Sequence, residues 1–274
     1  MTERPSRWLS GFAALTYAFL FAPIVILVIF SFNDSRRVFI WQGFTLDWYP
    51  ALLQNDRLLD AVWITLQVAA LAVVGATLLG SLLGLGLARL RFRGSGGVQT
   101  LLLLPMVTPE IVVGISLLVF FSQLFGWNGS MGQIALAHIT FCISYVAITV
   151  RARAASLDPA REEAARDLGA SAVGTFRHVT LPLLAPAIAA GAMLAFALSV
   201  DDLIITSFQA GVGSTTLPIA IYSSIKFGVT PQINAISSIV IALVGLALLI
   251  SWRVGAFRGP SARPVDADAE EGSA

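Results

Sequence analysis

Residues 158–182 read Asp-Pro-Ala-Arg-Glu-Glu-Ala-Ala-Arg-Asp-Leu-Gly-Ala-Ser-Ala-Val-Gly-Thr-Phe-Arg-His-Val-Thr-Leu-Pro, a polar island in an apolar chain. Before it, from Gly94 to Val150, the only charged residue is Glu110; His178 to Val200 carries none. Local chemistry writes two short helices into the island. Asp158 is a good N-cap, Pro159 suits the first helical position, and Gly169 suits the left-handed residue past a helix end. Ser171 caps a second helix running to about Thr180, and Pro182 opens the next apolar stretch. The small face of Ala160, Ala164 and Ala165 has little to bury against in its own chain, so the first helix is expected to dock in a groove of another protein.

Outward from the island, the 274 residues are 57% apolar and 12% charged, with a mean hydropathy of +0.82. Soluble domains carry about 25% charged residues. So little charge cannot cover a water-soluble globule, which predicts an integral membrane protein and excludes a disordered chain, a disulfide-stapled secreted domain and a nucleic-acid binder. Cys142 is the single cysteine, so no internal disulfide forms. A crossing helix needs about 20 apolar residues. Charge-free stretches at 11–32 and 61–88 qualify, and the turn-rich Gly126-Trp127-Asn128-Gly129-Ser130 divides the next into about 99–125 and 132–150. Spans near 183–209 and 232–252 complete an all-α, polytopic fold of six transmembrane helices. The first is too long an apolar run for a cleaved signal and reads as a retained span.

The 17 basic residues segregate. Thirteen fall on one side (Arg4, Arg7, Arg89, Arg91, Arg93, Arg151, Arg153, Arg161, Arg166, Arg177, Arg253, Arg258, Arg263) and four on the other (Arg36, Arg37, Arg57, Lys226). The positive-inside rule then puts both termini in the cytoplasm. Residues 1–10 form a cytoplasmic N-terminus and 11–257 a transmembrane domain, with an external loop at about 33–60 and a cytoplasmic loop at about 151–182. The acidic, Pro/Ser/Ala-rich tail 258–274 reads as disordered.

Glu163-Ala164-Ala165, Gly169 four residues on, then Val179 and Leu181-Pro182 resemble the EAA motif of membrane subunits of bacterial ABC importers, with Val179 where the family usually has Ile. Ser31-Phe-Asn-Asp-Ser35, Trp41, Trp48-Tyr49, Pro109-Glu110-Ile111 and Ser199-Val-Asp-Asp-Leu203 are similar to polyamine permeases, the smaller second permease of a putrescine/spermidine-type system. The resemblance implies a type I ABC importer permease fold. It also implies that Glu163, Ala164, Ala165, Gly169, Leu181 and Pro182 couple to an ATPase. The implied partners are two copies of an ATP-binding subunit, a related second permease, and a periplasmic or lipid-anchored polyamine-binding protein meeting the external loop at Trp41, Trp48 and Tyr49. The only lysine, Lys226, lies in no P-loop, so ATP hydrolysis belongs to another chain.

Glu110, Asp201 and Asp202 lie within predicted spans that hold no Lys or Arg. Intramembrane acids are costly and mark pathways, so these three are candidates for a substrate path that favours a cation. Glu110 falls about 11 residues into its span, roughly 16 Å deep. Adjacent residues point about 100° apart on a helix. Asp201 and Asp202 therefore divide between facing substrate and bonding a neighbouring helix or partner; the competing structural role is hydrogen bonding to Ser199 and Thr206. Pro105 and Pro109 kink the third span. Ala76, Gly80, Gly84 and Ala88 form a small stripe for close packing, within this chain or on a partner. His138 and Cys142 read as a packed i, i+4 pair rather than metal ligands, and His178 as a surface residue. No cofactor, metal or nucleic acid is expected, and nothing supports catalysis. The competing reading is an ion-coupled secondary transporter of a cationic substrate with these acids as proton carriers.

Overall fold

The computed structural model describes residues 7–35, 40–90, 92–227 and 230–254. Arg36, Arg37, Arg91 and the acidic tail lie outside the described residues. Among the described residues, the regular elements are helices, and the strand-like pairing is one isolated antiparallel bridge between Asn33 and Phe44. It divides into two compact units, Met1–Gln54 with Val229–Ala274, and Asn55–Gly228.

The first unit holds α1 (Arg7–Phe30), α2 (Trp48–Leu52) and α12 (Pro231–Val254), with α12 packed on both others. Large apolar side chains such as Phe12, Leu15, Phe19 and Ile26 stand exposed along α1, as a lipid-facing helix requires. The link from α1 to α2 is fastened by Asn33, 1% exposed. Its amide donates to the Ile40 carbonyl (2.8 Å), its side-chain oxygen accepts the Gln42 N–H (2.9 Å), and its carbonyl accepts Trp48 Nε1–H (2.8 Å).

The second unit is built on α3 (Asp56–Arg89), α6 (Met131–Ser156) and α9 (Leu181–Asp201), which pack pairwise with α6 in the middle. Between lipid-bathed helices there is little hydrophobic gain from association, so close van der Waals approach must hold them. The small stripe on α3 serves that purpose within this chain. A Cβ on Gly80 would lie 2.7 Å from Val146 Cβ and 2.9 Å from the Ile143 carbonyl, and one on Gly84 would run into the Ala147 carbonyl of α6. Around this core come α4 (Ser95–Val107), α5 (Glu110–Phe125), α7 (Ala160–Asp167), α8 (Ala172–Thr175), α10 (Ile204–Gln209) and α11 (Leu217–Phe227). The first N–H of α11, on Leu217, donates to Thr65 Oγ1 of α3 at 2.8 Å.

Two expected spans are broken rather than continuous. The third is α4 followed by α5, bent by 112° at Thr108–Pro109. Proline disfavours helical backbone in the residue before it, and Thr108 (ψ 135°) and Pro109 (ψ 133°) are both extended. Glu110 therefore opens a helix instead of lying in the middle of one. The fifth stops at Asp202 (ψ 121°) and resumes as α10. In the other direction, the expected second loop helix passes through α8 and a wide π turn, Phe176–Thr180, straight into α9. Among the described residues, four helices are long and apolar enough to cross a membrane, five if α4 and α5 count as one; α12 occupies the place of the sixth expected span.

Candidate functional site: an exposed polar helix and an acidic break

Helix α7 is a surface element with local fastenings at both ends. Asp158 Oδ1 accepts the Ala160 N–H at 3.0 Å. At the other end Gly169 takes φ +87°, and the Ala170 N–H returns to the Ala165 carbonyl at 3.0 Å. No α7 residue is buried. Glu163, Ala164 and Gly169 are exposed, Ala165 is half-buried, and Leu181 and Pro182 are exposed at the start of α9. Beside them Leu168 is 90% exposed, an apolar side chain in water next to a small-residue face. His178 donates to the Gly174 carbonyl at 3.0 Å and so closes its own turn.

Glu162, which the motif does not include, turns the other way. Its Oε1 accepts from Arg89 Nη2 (3.0 Å) and from Thr180 Oγ1 (3.1 Å). No spacing rule connects residues 73 positions apart. The available signal was an arginine closing a long apolar span, with carboxylates in the polar island 158–182 to pair with it.

The break after α9 is held by its own acid. Asp202 accepts the N–H groups of Ile205 (3.3 Å) and Thr206 (2.7 Å) and the Thr206 hydroxyl (2.7 Å). It thus caps α10 as an N-terminal carboxylate does. His138 of α6 completes the cluster, with Nε2 3.2 Å from Asp202 Oδ2 and 3.0 Å from Thr206 Oγ1, and Nδ1 2.8 Å from Ser199 Oγ. The Thr206 proton is already given to Asp202, so Nε2 is the donor, and in a neutral ring Nδ1 accepts from Ser199. The His138 and Asp202 side chains are only 3% and 7% exposed. Cys142 lies buried beside the Ala195 carbonyl of α9, 3.7 Å from its sulfur.

The three candidate acids are therefore not equivalent. Asp202 is consumed by the fold. Asp201, last residue of α9, is exposed, and Glu110 is exposed in the first turn of α5; neither makes an ion pair among the described residues. A second buried cluster, unforeseen from the sequence, holds α10 against α5 and α6. Gln133 accepts the Gly129 N–H (3.0 Å) and donates to Gln209 Oε1 (2.7 Å), and Gln209 donates to the Gly114 carbonyl (2.9 Å). Both glutamines are fully buried.

The three aromatics expected to meet a binding protein also differ. Trp48 is fixed by its bond to Asn33, and the Tyr49 hydroxyl lies 2.9 Å from Ser31 Oγ with its ring against Phe32. Trp41 is 49% exposed, touching Phe30 edge-on.

Residues 76–257 match the family of binding-protein-dependent transport system inner membrane components. The putrescine transport system permease protein PotI of Escherichia coli (strain K12) is 43% identical over 253 residues, covering 90% of each chain. The spermidine/putrescine transport system permease protein PotC of the same strain is 45% identical over 233 residues, 85% of this chain and 88% of that one. Among solved structures, a bacterial ABC transporter involved in alginate import matches 93% of this chain and 98% of its own at a TM-score of 0.66 and 16% identity. A bacterial alginate ABC transporter in complex with its periplasmic protein gives a TM-score of 0.67 at 19% identity, over 92% and 94%. These structures share the fold: all-helical, as in ABC importer permeases. A match through more than half of the chain, with relatives above 40% identical along most of it, settles membership: the chain is an inner membrane component of a binding-protein-dependent transport system.

Proposed function

We propose that this chain is the smaller permease of an ATP-driven polyamine importer, with putrescine as the first substrate to test. The chain crosses the membrane six times with both termini in the cytoplasm, pairs with a second related permease, and engages two ATP-binding subunits. A polyamine-loaded binding protein meets the opposite face, with Trp41 the most exposed of the three expected contact aromatics. The observation that carries the reading is α7: an eight-residue helix without one buried residue, displaying Glu163, Ala164 and Gly169. A folded helix kept that bare is a surface for a partner.

Putrescine comes from the names of the relatives and from the charges. A diamine has two ammonium groups on an apolar linker, and the acids not consumed by the fold are Asp201 and Glu110. In this reading Asp202 shapes the break and Asp201 and Glu110 face the cation. Preorganised carboxylates attract the ammonium groups strongly because little water competes inside a membrane cavity. The two states of the transporter must differ in their affinity for the substrate, otherwise ATP-driven closure releases nothing.

The test is ATP-dependent uptake of labelled putrescine by the full complex in proteoliposomes. Uptake that requires ATP, binding protein and this chain supports the proposal. Uptake that persists without the ATPase subunits would transfer the chain to ion-coupled transport.

A further inference from the structure

We propose that Glu162, and not the motif residue Glu163, transmits the displacement of α7 to the membrane helices; this rests on reading α7 as the coupling helix. One oxygen, Glu162 Oε1, joins three elements. It accepts from Arg89 Nη2 at 3.0 Å, on the last residue of α3, and from Thr180 Oγ1 at 3.1 Å, on the last residue of the π turn that runs into α9. The backbone neighbours of α7 are α8 and the π turn, and the bond from Glu162 to Arg89 is its polar tie to α3. A shift of α7 therefore strains both bonds together, and so pulls on two of the three helices that form the core of the unit.

The junction is sheltered enough to carry that load. The Arg89 and Glu162 side chains are 23% and 17% exposed, and Thr180 is 5% exposed. Charge-assisted bonds in such a setting are stronger than neutral ones. A cleft of about 320 Å³ flanks them, lined by Arg89, Glu162, Arg166, Thr175, Phe176 and Thr180, and leaves room for the pair to move. Glu163, about 100° further round the helix, is exposed and free to meet the partner. Two neighbouring glutamates thus divide the work of gripping and pulling.

The experiment uses the full importer in proteoliposomes and reads three quantities: ATPase subunits copurifying with this chain, ATP hydrolysed, and solute taken up. For Glu162→Gln the expected result is wild-type copurification with uptake per ATP reduced about tenfold. The charge swap Arg89→Glu with Glu162→Arg is expected to recover part of that ratio, which loss of folding could not do. Unchanged uptake per ATP in Glu162→Gln, or a charge swap no better than either single change, would overturn the proposal. Loss of copurification in Glu162→Gln would overturn it too, by assigning the residue to docking. A wild-type chain that recruits no ATPase would sink the coupling reading and this proposal together, whereas full coupling retained in Glu162→Gln sinks this proposal alone.

Discussion

Two pairs of adjacent carboxylates, Glu162–Glu163 and Asp201–Asp202, follow one rule in two different settings. In each, one acid is turned into the protein and bonded while its neighbour is exposed. The partners differ with the surroundings. Glu162, at the end of a span, takes an arginine and a threonine hydroxyl. Asp202, among apolar helices, takes two backbone N–H groups, a hydroxyl and a histidine ring. A buried carboxylate can be kept by hydrogen-bond donors alone if enough of them converge. Adjacency along the chain thus separates the two acids of each pair: the inward one is bonded within the protein and the outward one stays exposed.

The sharpest way to break this comparison is to remove the inward acid of the buried pair. Asp202→Ala strips the cap from α10 and removes the carboxylate that His138 and Thr206 share. The expected loss is about 3 kcal/mol of stability, from the lost cap and the N–H groups of Ile205 and Thr206 left unpaired, seen as a lower thermal midpoint of the purified chain. Asp201→Ala should stay within about 0.5 kcal/mol of wild type. Equal losses at the two positions would end the distinction.

On the other pair the outward acid should govern assembly. Reversing its charge in Glu163→Arg is expected to reduce copurifying ATPase subunits more than tenfold, about 1.4 kcal/mol or more, with no change in thermal midpoint. Asp201→Asn sharpens the same contrast in the membrane. It keeps the shape and removes the charge, and the expected result is about tenfold weaker putrescine uptake at unaltered stability, the size of one lost charge-assisted bond. Undiminished uptake would leave Glu110 as the remaining candidate acid.

Particular residues mark where the sequence was legible. Helix α7 could be drawn in advance because its fastenings, Asp158 and Gly169, are local. The stripe of Gly80 and Gly84 was visible as a packing surface, but only coordinates could assign it to α6. The break at Pro109 was half legible, since proline signals a disturbance without giving the 112° bend. The break at Asp202 was not, because a helix through Asp201 and Asp202 is locally sound. What ends it is a cluster with His138, 64 residues away. The spacing of His138 and Cys142 reads as packing, and both are buried; the bonds of the His138 ring to Ser199, Asp202 and Thr206 are what spacing leaves out. The bonds that hold Trp48 and Tyr49 to α1 and its following turn, through Asn33 and Ser31, were equally illegible, since they join residues 15 and 18 positions apart. Long-range polar bonds are what local pattern omits.

The smallest predicted effect tests how much of the inward role of Glu162 lies in each of its two bonds. Thr180→Val keeps the shape of a nearly buried side chain and deletes one donor, leaving Arg89 in place. A hydrogen bond to a charged group contributes about 1.5–3 kcal/mol, but with Arg89 retained the carboxylate keeps its stronger partner and only the link to α9 is cut. Uptake per ATP should therefore fall by only about threefold, or ~0.65 kcal/mol, less than in Glu162→Gln, with ATPase assembly unchanged. Adding Glu162→Ala to Thr180→Val should cost no more than Glu162→Ala alone, because both bonds end on the same oxygen and alanine carries neither. Losses that simply add would mean that Thr180 acts on the π turn by itself, and that the two helices are pulled separately rather than through one carboxylate.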